Sequence, residues 1–178
     1  MRSDALLSLV PIGGNLSLVT GGANAVASTN IIDLLGNGVG TAPTSIIGTA
    51  TVFGTDMGIP SMRPELNIVT GSANWAGGTS LTVSLQGAVD SGTPTYQPGT
   101  WITFGEVPGI TTAELLANTV IGRLPWLPAW PSNVLPRYLR LLFTPVGTYT
   151  TGVIGSAIVT IVRDDQANKY QSKNFVVK

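Results

Sequence analysis

The sequence contains no cysteine and no histidine, and only 10% of its 178 residues are charged. Without Cys and His the chain cannot assemble a Ser-His-Asp or Cys-His triad, or the usual zinc, copper and non-haem iron sites. Disulfides are excluded for the same reason. We therefore expect a protein that is not an enzyme and that needs no metal and no cofactor.

Glycoside hydrolases form the one enzyme class that this composition leaves open, because they need only two carboxylates. Nothing in the spacing of the acids brings a pair together. In "TTAELLAN", Thr111 as N-cap with Glu114 three residues later indicates a capping box and a short helix near 111–117. That interpretation competes with a catalytic role for Glu114. The acids considered are Asp56, Glu65, Asp90, Glu106 and Glu114.

The balance of charge argues against two kinds of partner. Nine basic residues face nine acidic ones, so the basic patch expected of a nucleic-acid-binding protein is missing. The longest apolar run, at 153–162, is shorter than the roughly 18 residues of a membrane-spanning helix. We expect no nucleic acid and no membrane as partner.

The mean hydropathy of +0.33, together with the low charge, indicates a surface that other protein covers. Typical domains have about 25% charged residues, and permanent interfaces are depleted in charge. We therefore expect a homo-oligomer, either a dimer or a trimer.

Short runs of β-forming residues between Gly, Pro and Asn predict an all-β protein. The predicted strands are 28–34, 46–53, 65–70, 79–87, 100–104, 119–124, 137–144 and 153–163. About eight strands with one short helix predict an antiparallel β-sandwich of jelly-roll type. We expect one domain over 1–178 with extended termini, namely an N-terminal arm over 1–27 and a C-terminal tail over 164–178.

Two strands differ in the pattern of their side chains. In "TSLTVSLQ", Leu81, Val83 and Leu85 alternate with Thr82, Ser84 and Gln86, which is typical of a half-buried antiparallel strand. The strand at 153–163 is apolar on both faces. Such a strand is either central in its sheet or covered by another subunit.

Two arginines, Arg137 and Arg140, lie among the aliphatic residues of the strand at 137–144. Strand alternation places them on opposite faces. One interpretation makes them recognition groups, since an Arg side chain binds a carboxylate through two hydrogen bonds. The alternative is an internal ion pair with an acid such as Asp33 or Glu65.

The stretch "RLPWLPAWPSNVLPR" at 123–137 predicts a loop, because proline cannot supply the hydrogen bonds of a sheet. Trp126 and Trp130 lie in it. They either fold back onto the core or anchor a partner, in whose pocket Trp is a frequent hot spot.

In the tail, Lys169, Tyr170, Lys173 and Phe175 mix basic and apolar side chains. This pattern predicts a segment that adds to the sheet edge of a neighbour. The alternative is that the tail packs on its own subunit.

Seven stretches, in this order along the chain, resemble the cement (decoration) proteins of tailed-phage heads. They are "DALLSL" (4–9), "STNIIDL" (28–34), "GTDMGIPSMRPELNIV" (54–69), "LTVSLQGAVD" (81–90), "VIGRLP" (120–125), "RYLRLLFT" (137–144) and "DDQANKY" (164–170). The resemblance spans nearly the whole chain and depends on the order and number of matches, since no single motif is diagnostic.

The resemblance implies a jelly roll on the outer surface of the phage head, made in the host cytoplasm. It implies a structural virion protein that stabilises contacts between subunits of the major capsid protein, which would be its partner. Arg2 and Asp4, in the arm, are further candidate interaction residues. The alternative function is a carbohydrate-binding β-sandwich module, with a sugar platform among Trp75, Trp101, Trp126 and Trp130.

Overall fold

A computed structural model describes residues 2–19, 24–34, 62–92, 97–125 and 136–163. In these ranges the chain is all-β, and every strand pair is antiparallel. The strands are β1 Arg2–Val10, β2 Leu16–Ser17, β3 Val26–Ala27, β4 Ile32–Asp33, β5 Met62–Thr70, β6 Ala76–Gly77, β7 Ser80–Asp90, β8 Pro98–Thr111, β9 Val120–Pro125, β10 Tyr138–Val146, β11 Tyr149–Thr151 and β12 Val153–Arg163. Within the same ranges no helix is long and apolar enough to cross a membrane.

The strands form two large sheets and one small one. The first, the β12 sheet, has the order β1-β12-β5-β9, and β2 also pairs with β12. The second, the β10 sheet, has the order β3-β10-β7-β8, and β4 also pairs with β10. Strands β6 and β11 form the third, two-stranded sheet.

The two large sheets share a single hydrophobic core, as in a β-sandwich. The prediction from alternation is confirmed: Leu81, Val83 and Leu85 are fully buried in this core. Leu141 and Phe143 lie beside them in the same sheet. The β12 sheet contributes Leu66, Ile68, Ile154 and Ala157 to the core. Removal of these side chains from water stabilises the sandwich.

Strand β12 lies between β1 and β5, so it is central in its sheet. Of the two alternatives for this strand, the sheet order supports the central position. Ile158, for example, is directly opposite Ser8 on one side and Asn67 on the other, and it is only 8% exposed.

Six of the eight predicted strands correspond to long strands or parts of them, and one does not. The prediction at 28–34 yields only the two-residue strand β4, and 46–53 lies outside the described ranges. Residues 2–10, expected within an N-terminal arm, form β1 and pair with β12.

The predicted helix near 111–117 is wrong, since only a 3-10 turn at Thr112–Glu114 forms. After two local bonds, from the N–H groups of Leu115 and Leu116, the following backbone bonds to the loop at 70–75. Trp75 N–H donates to the carbonyl of Leu115, and Ala117 N–H donates to the Asn74 side chain. These tertiary hydrogen bonds replace the bonds that would extend a helix.

Candidate interaction face

The β10 sheet has one face in the core and one face turned away from it, which we call the outer face. Strand register places two rows of side chains there. Tyr138 of β10 is opposite Ala88 of β7, which is opposite Trp101 of β8. Likewise Arg140 is opposite Gln86, and Gln86 is opposite Thr103. Directly opposite residues of antiparallel strands share a face. Within the subunit, Tyr138 and Ala88 are fully buried, with Ile31 and Trp101 packed against them, and Gln86 is 8% exposed.

Arg137 lies at one end of this face and is held by two acids. Its Nε is 3.0 Å from Asp33 Oδ1, its Nη2 is 2.9 Å from Asp33 Oδ2, and its Nη1 is 2.7 Å from Asp90 Oδ2. Asp33 is one of the two acids considered for an internal pair. The hydrogen bond to Asp33 raises the pKa of Arg137 above its ordinary value.

The prediction that the two arginines lie on opposite faces is wrong. Strand β10 begins at Tyr138, so strand alternation does not reach back to Arg137. The Arg137 guanidinium lies over the Tyr138 ring, 5.1 Å from its centroid, and Tyr138 is on the outer face with Arg140. Both cations therefore contact aromatic rings on this face.

Arg140 is half-buried and lacks a carboxylate partner among the described residues. Its guanidinium stacks 4.1 Å from the centroid of the Trp101 ring, a cation–π arrangement. Its Nε donates to Gln86 Oε1 at 2.9 Å, and Gln86 in turn donates to Thr103 Oγ1 at 3.3 Å. Burial lowers the pKa of Arg140, because desolvation disfavours the charged form.

Glu106 is the next charged residue on the outer face. It lies in β8 opposite Ser84, in the row that follows Gln86 and Thr103. It is exposed, and the Ser84 hydroxyl lies 3.4 Å from its Oε2. No basic side chain lies within ion-pair distance of Glu106 in the part of the chain that the structure describes.

The other described acids considered from the sequence, Asp90 and Glu114, have different partners. Asp90 is paired with Arg137, and Glu114 accepts hydrogen bonds from the Thr111 hydroxyl and N–H at 2.6 and 2.8 Å. The Thr111 hydroxyl, and then its N–H, lower the pKa of Glu114. Asp56 and the Glu65 side chain lie outside the described set. These two hydrogen bonds to Glu114 are those of a capping box, as the sequence predicted.

Two of the four tryptophans of the sugar-platform alternative are described, and neither offers an open ring. Trp75 is 5% exposed and meets Tyr149 edge to face at 5.0 Å in the core. Trp101 has one face covered by the Arg140 guanidinium. Trp126 and Trp130 lie outside the described residues.

The structure does not describe the side chains of the remaining predicted site residues. Arg2 and Asp4 belong to β1, and their side chains are outside the described set. Lys169, Tyr170, Lys173 and Phe175 lie in the tail, beyond the described ranges.

Sequence reasoning did not include Gln86, Trp101 and Glu106 in the interaction site. The alternation within 79–87 placed Gln86 on the outer side, and it was the signal in the sequence that could have added Gln86 to the site. The pairing of β7 with β8 has three register shifts, so strand pattern alone did not show which residues of β8 would stand beside it.

A search against protein-family models finds no match to this chain, and no curated protein matches it either.

Proposed function

We propose that this chain is a structural protein of a tailed-phage head, which binds the outer capsid surface and stabilises contacts between major capsid protein subunits. We also propose that its sandwich is a jelly roll. Strand order supports the topology. If β3 and β4 count as one interrupted strand, the eight main strands have the orders 1-8-3-6 and 2-7-4-5 in the two sheets, which suits a double-sheet jelly roll.

The observation that carries the proposal is the Arg137 cluster, made of Arg137, Asp33 and Asp90. Each member comes from a different stretch that resembles the cement proteins: "RYLRLLFT", "STNIIDL" and "LTVSLQGAVD". The fold joins them within hydrogen-bond distance, with Arg137 between the two acids. Because residues of three such stretches meet at one place in the fold, a fold shared with the cement proteins explains the resemblance better than chance similarity of short segments does.

The surface chemistry is also in keeping with an assembly protein. The outer face has mostly uncharged polar and apolar side chains, with Thr82, Leu142 and Thr144 half-buried beside the exposed Val146. Such a face is suited to a permanent contact, which interfaces of low charge characterise.

The direct test is binding to phage heads. Heads assembled from the major capsid protein encoded in the same genome are mixed with the purified chain and sedimented. We expect saturable co-sedimentation, with added mass on the outer surface in negative-stain images. Absence of binding at micromolar concentration would contradict the proposal.

The tail gives a matched variant for this test. Deletion of 167–178 is expected to leave a folded β domain that binds heads poorly, with salt weakening the residual binding by screening the charges that remain. If the shortened protein decorates heads as fully as the intact one, the tail is not an interaction arm.

A glycan array on the same preparation tests the carbohydrate-binding alternative, for which positive binding to defined sugars is the supporting result.

A further inference from the structure

Two charges of opposite sign remain without an ion-pair partner on the outer face of the β10 sheet, counting the described residues. One is the half-buried guanidinium of Arg140, and the other is the exposed carboxylate of Glu106. Arg137, on the same face, has both Asp33 and Asp90. The face thus carries one unmatched cation and one unmatched anion.

The two charges are too far apart to pair within one subunit. Arg140 shares a row with Gln86 and Thr103, whereas Glu106 is opposite Ser84 in the next row. The backbone positions of Arg140 and Glu106 are two strands apart across the sheet and two residues apart along the strands, a distance of about 12 Å. The Arg140 guanidinium lies over Trp101 and the Glu106 carboxylate lies beside Ser84, so the two charges do not pair within the described subunit, and each is open to a partner from another molecule.

A second copy of the chain supplies both missing charges at once. A two-fold axis parallel to the face, crossing β7 between Ser84 and Gln86, exchanges the positions of Arg140 and Glu106. In a two-fold interface, if residue i contacts residue j, then j contacts i. One such axis therefore creates two equivalent pairs and leaves neither charge alone.

The neighbours of Arg140 prepare it for such a contact. The Trp101 ring lies 4.1 Å from the guanidinium carbon, and Gln86 accepts from Nε, so the group is held at two points. Neither Nη1 nor Nη2 has a hydrogen-bond acceptor in the described ranges. A guanidinium held flat with these donors free can bind a carboxylate through two hydrogen bonds.

We propose that two copies of the chain pack through the outer faces of their β10 sheets, with Arg140 of each subunit binding Glu106 of the other. This inference deepens the homo-oligomer expected from the low charge of the sequence, and it rests on that expectation. Its geometry concerns only the chain itself, so it is tested without capsid, and its failure is distinguishable from a failure to bind heads.

The test is a charge-swap series followed by sedimentation equilibrium on the intact chain. The wild-type protein is expected to be a dimer, and Arg140→Glu or Glu106→Arg to weaken association at least ~30-fold, because each places like charges in both pairs. The double variant R140E/E106R should restore the dimer. Arg123→Glu, an exposed change on β9 of the other sheet, serves as the control and should leave the dimer unchanged.

Mixing the two single variants gives a second, independent readout. An R140E subunit and an E106R subunit complement each other at both pairs, so the mixture should form a heterodimer that neither forms alone. Circular dichroism melts establish folding, and Arg140→Gln replaces R140E if the latter does not fold. A monomeric or trimeric wild type, or a double variant and a mixture that both remain monomeric, would overturn the proposal. So would an R140E protein that dimerises normally but loses binding to heads, since Arg140 would then bind the capsid.

Discussion

The Arg137 guanidinium binds the carboxylate of Asp33 through Nε and Nη2, at 3.0 and 2.9 Å, across 104 positions of the sequence. The contact joins the residue before β10 to the end of β4, and Asp90 extends it to the end of β7. Three strand ends are thereby tied at one corner of the sandwich. Asp33 is almost fully buried, at 2% side-chain exposure, and Arg137 is a basic partner that compensates its charge.

Replacement of Arg137 by Ala should lower the free energy of unfolding by about 3 kcal/mol, because it leaves a buried carboxylate uncompensated. Arg137→Lys should retain part of this stability, since Lys keeps the charge but cannot bind both carboxylate oxygens in the same planar geometry. Urea denaturation measures both. Arg123→Ala, at an exposed position, is the control and should change stability by no more than about 0.5 kcal/mol. Equal stability of R137A and R123A would contradict this role.

Gly87 in β7 lies beneath the Phe104 ring. A Cβ atom at Gly87 would come within 2.1 Å of Phe104 Cε2 and 2.7 Å of Pro136 Cβ. Gly87→Ala should therefore destabilise the protein by about 1–3 kcal/mol through overpacking. In a Phe104→Ala background the same change should cost less, which a double-mutant cycle by thermal or urea unfolding detects. If the free-energy changes of Gly87→Ala and Phe104→Ala are strictly additive, the Phe104 ring is not the group with which the added methyl clashes.

Glu114 predicts a pH dependence of stability. Its pKa is lower in the folded protein than its ordinary value of 4.5, because the Thr111 hydroxyl and N–H bind the ionised form. The resulting stability is fully present above pH 4.5 and is lost as the pH falls through the lowered pKa. The melting temperature of the wild type should thus exceed that of Glu114→Gln at pH 7, and the difference should shrink in acid.

Thr111→Val is the matched variant for this pH profile, because it removes the hydroxyl while the backbone N–H of residue 111 remains. It should reduce the pH-dependent difference without abolishing it. A difference between wild type and E114Q that stays constant from pH 7 to pH 3 would be inconsistent with this assignment.

Trp75 is expected to contribute to stability and not to sugar binding. Its ring packs edge to face on Tyr149, and its Nε1 donates to the carbonyl of Val153 at 3.3 Å. Trp75→Ala should cost about 3–5 kcal/mol, the range for large aromatic residues in a core, and Trp75→Phe should cost less. Denaturation followed by circular dichroism measures both. A W75A protein as stable as the wild type would place this ring outside the cooperative core.

The sequence predicted those parts of the fold that depend on local pattern. The alternation from Leu81 to Gln86 is visible in the residues themselves, and the structure places the leucines and Val83 in the core. The apolar strand β12 was predicted for the same reason. An ion pair between Arg137 and Asp33 was one of two possibilities, because composition offered few acids and no local rule could choose among them.

The remaining features depend on tertiary contacts that pattern does not contain. The helix after Thr111 fails because Asn74 and Trp75 bond to the backbone of residues 115–117. Strand alternation does not apply to Arg137, because β10 starts one residue later. The contact of Trp101 with Arg140 joins β8 to β10 across β7, and bulges between β7 and β8 set which residues meet.

The positions of β10 and β12 in their sheets have a consequence for the order of folding during synthesis. β10 joins β3 and β4 to β7, and β12 joins β1 to β5, yet both strands follow residue 137 in the sequence. A nascent chain that ends before them has every earlier strand but lacks the central partner of each sheet. Its strand edges would stay unpaired, which exposes them to association with other chains. Because these pairings span long stretches of sequence, the sandwich should form slowly and only after translation has passed β12.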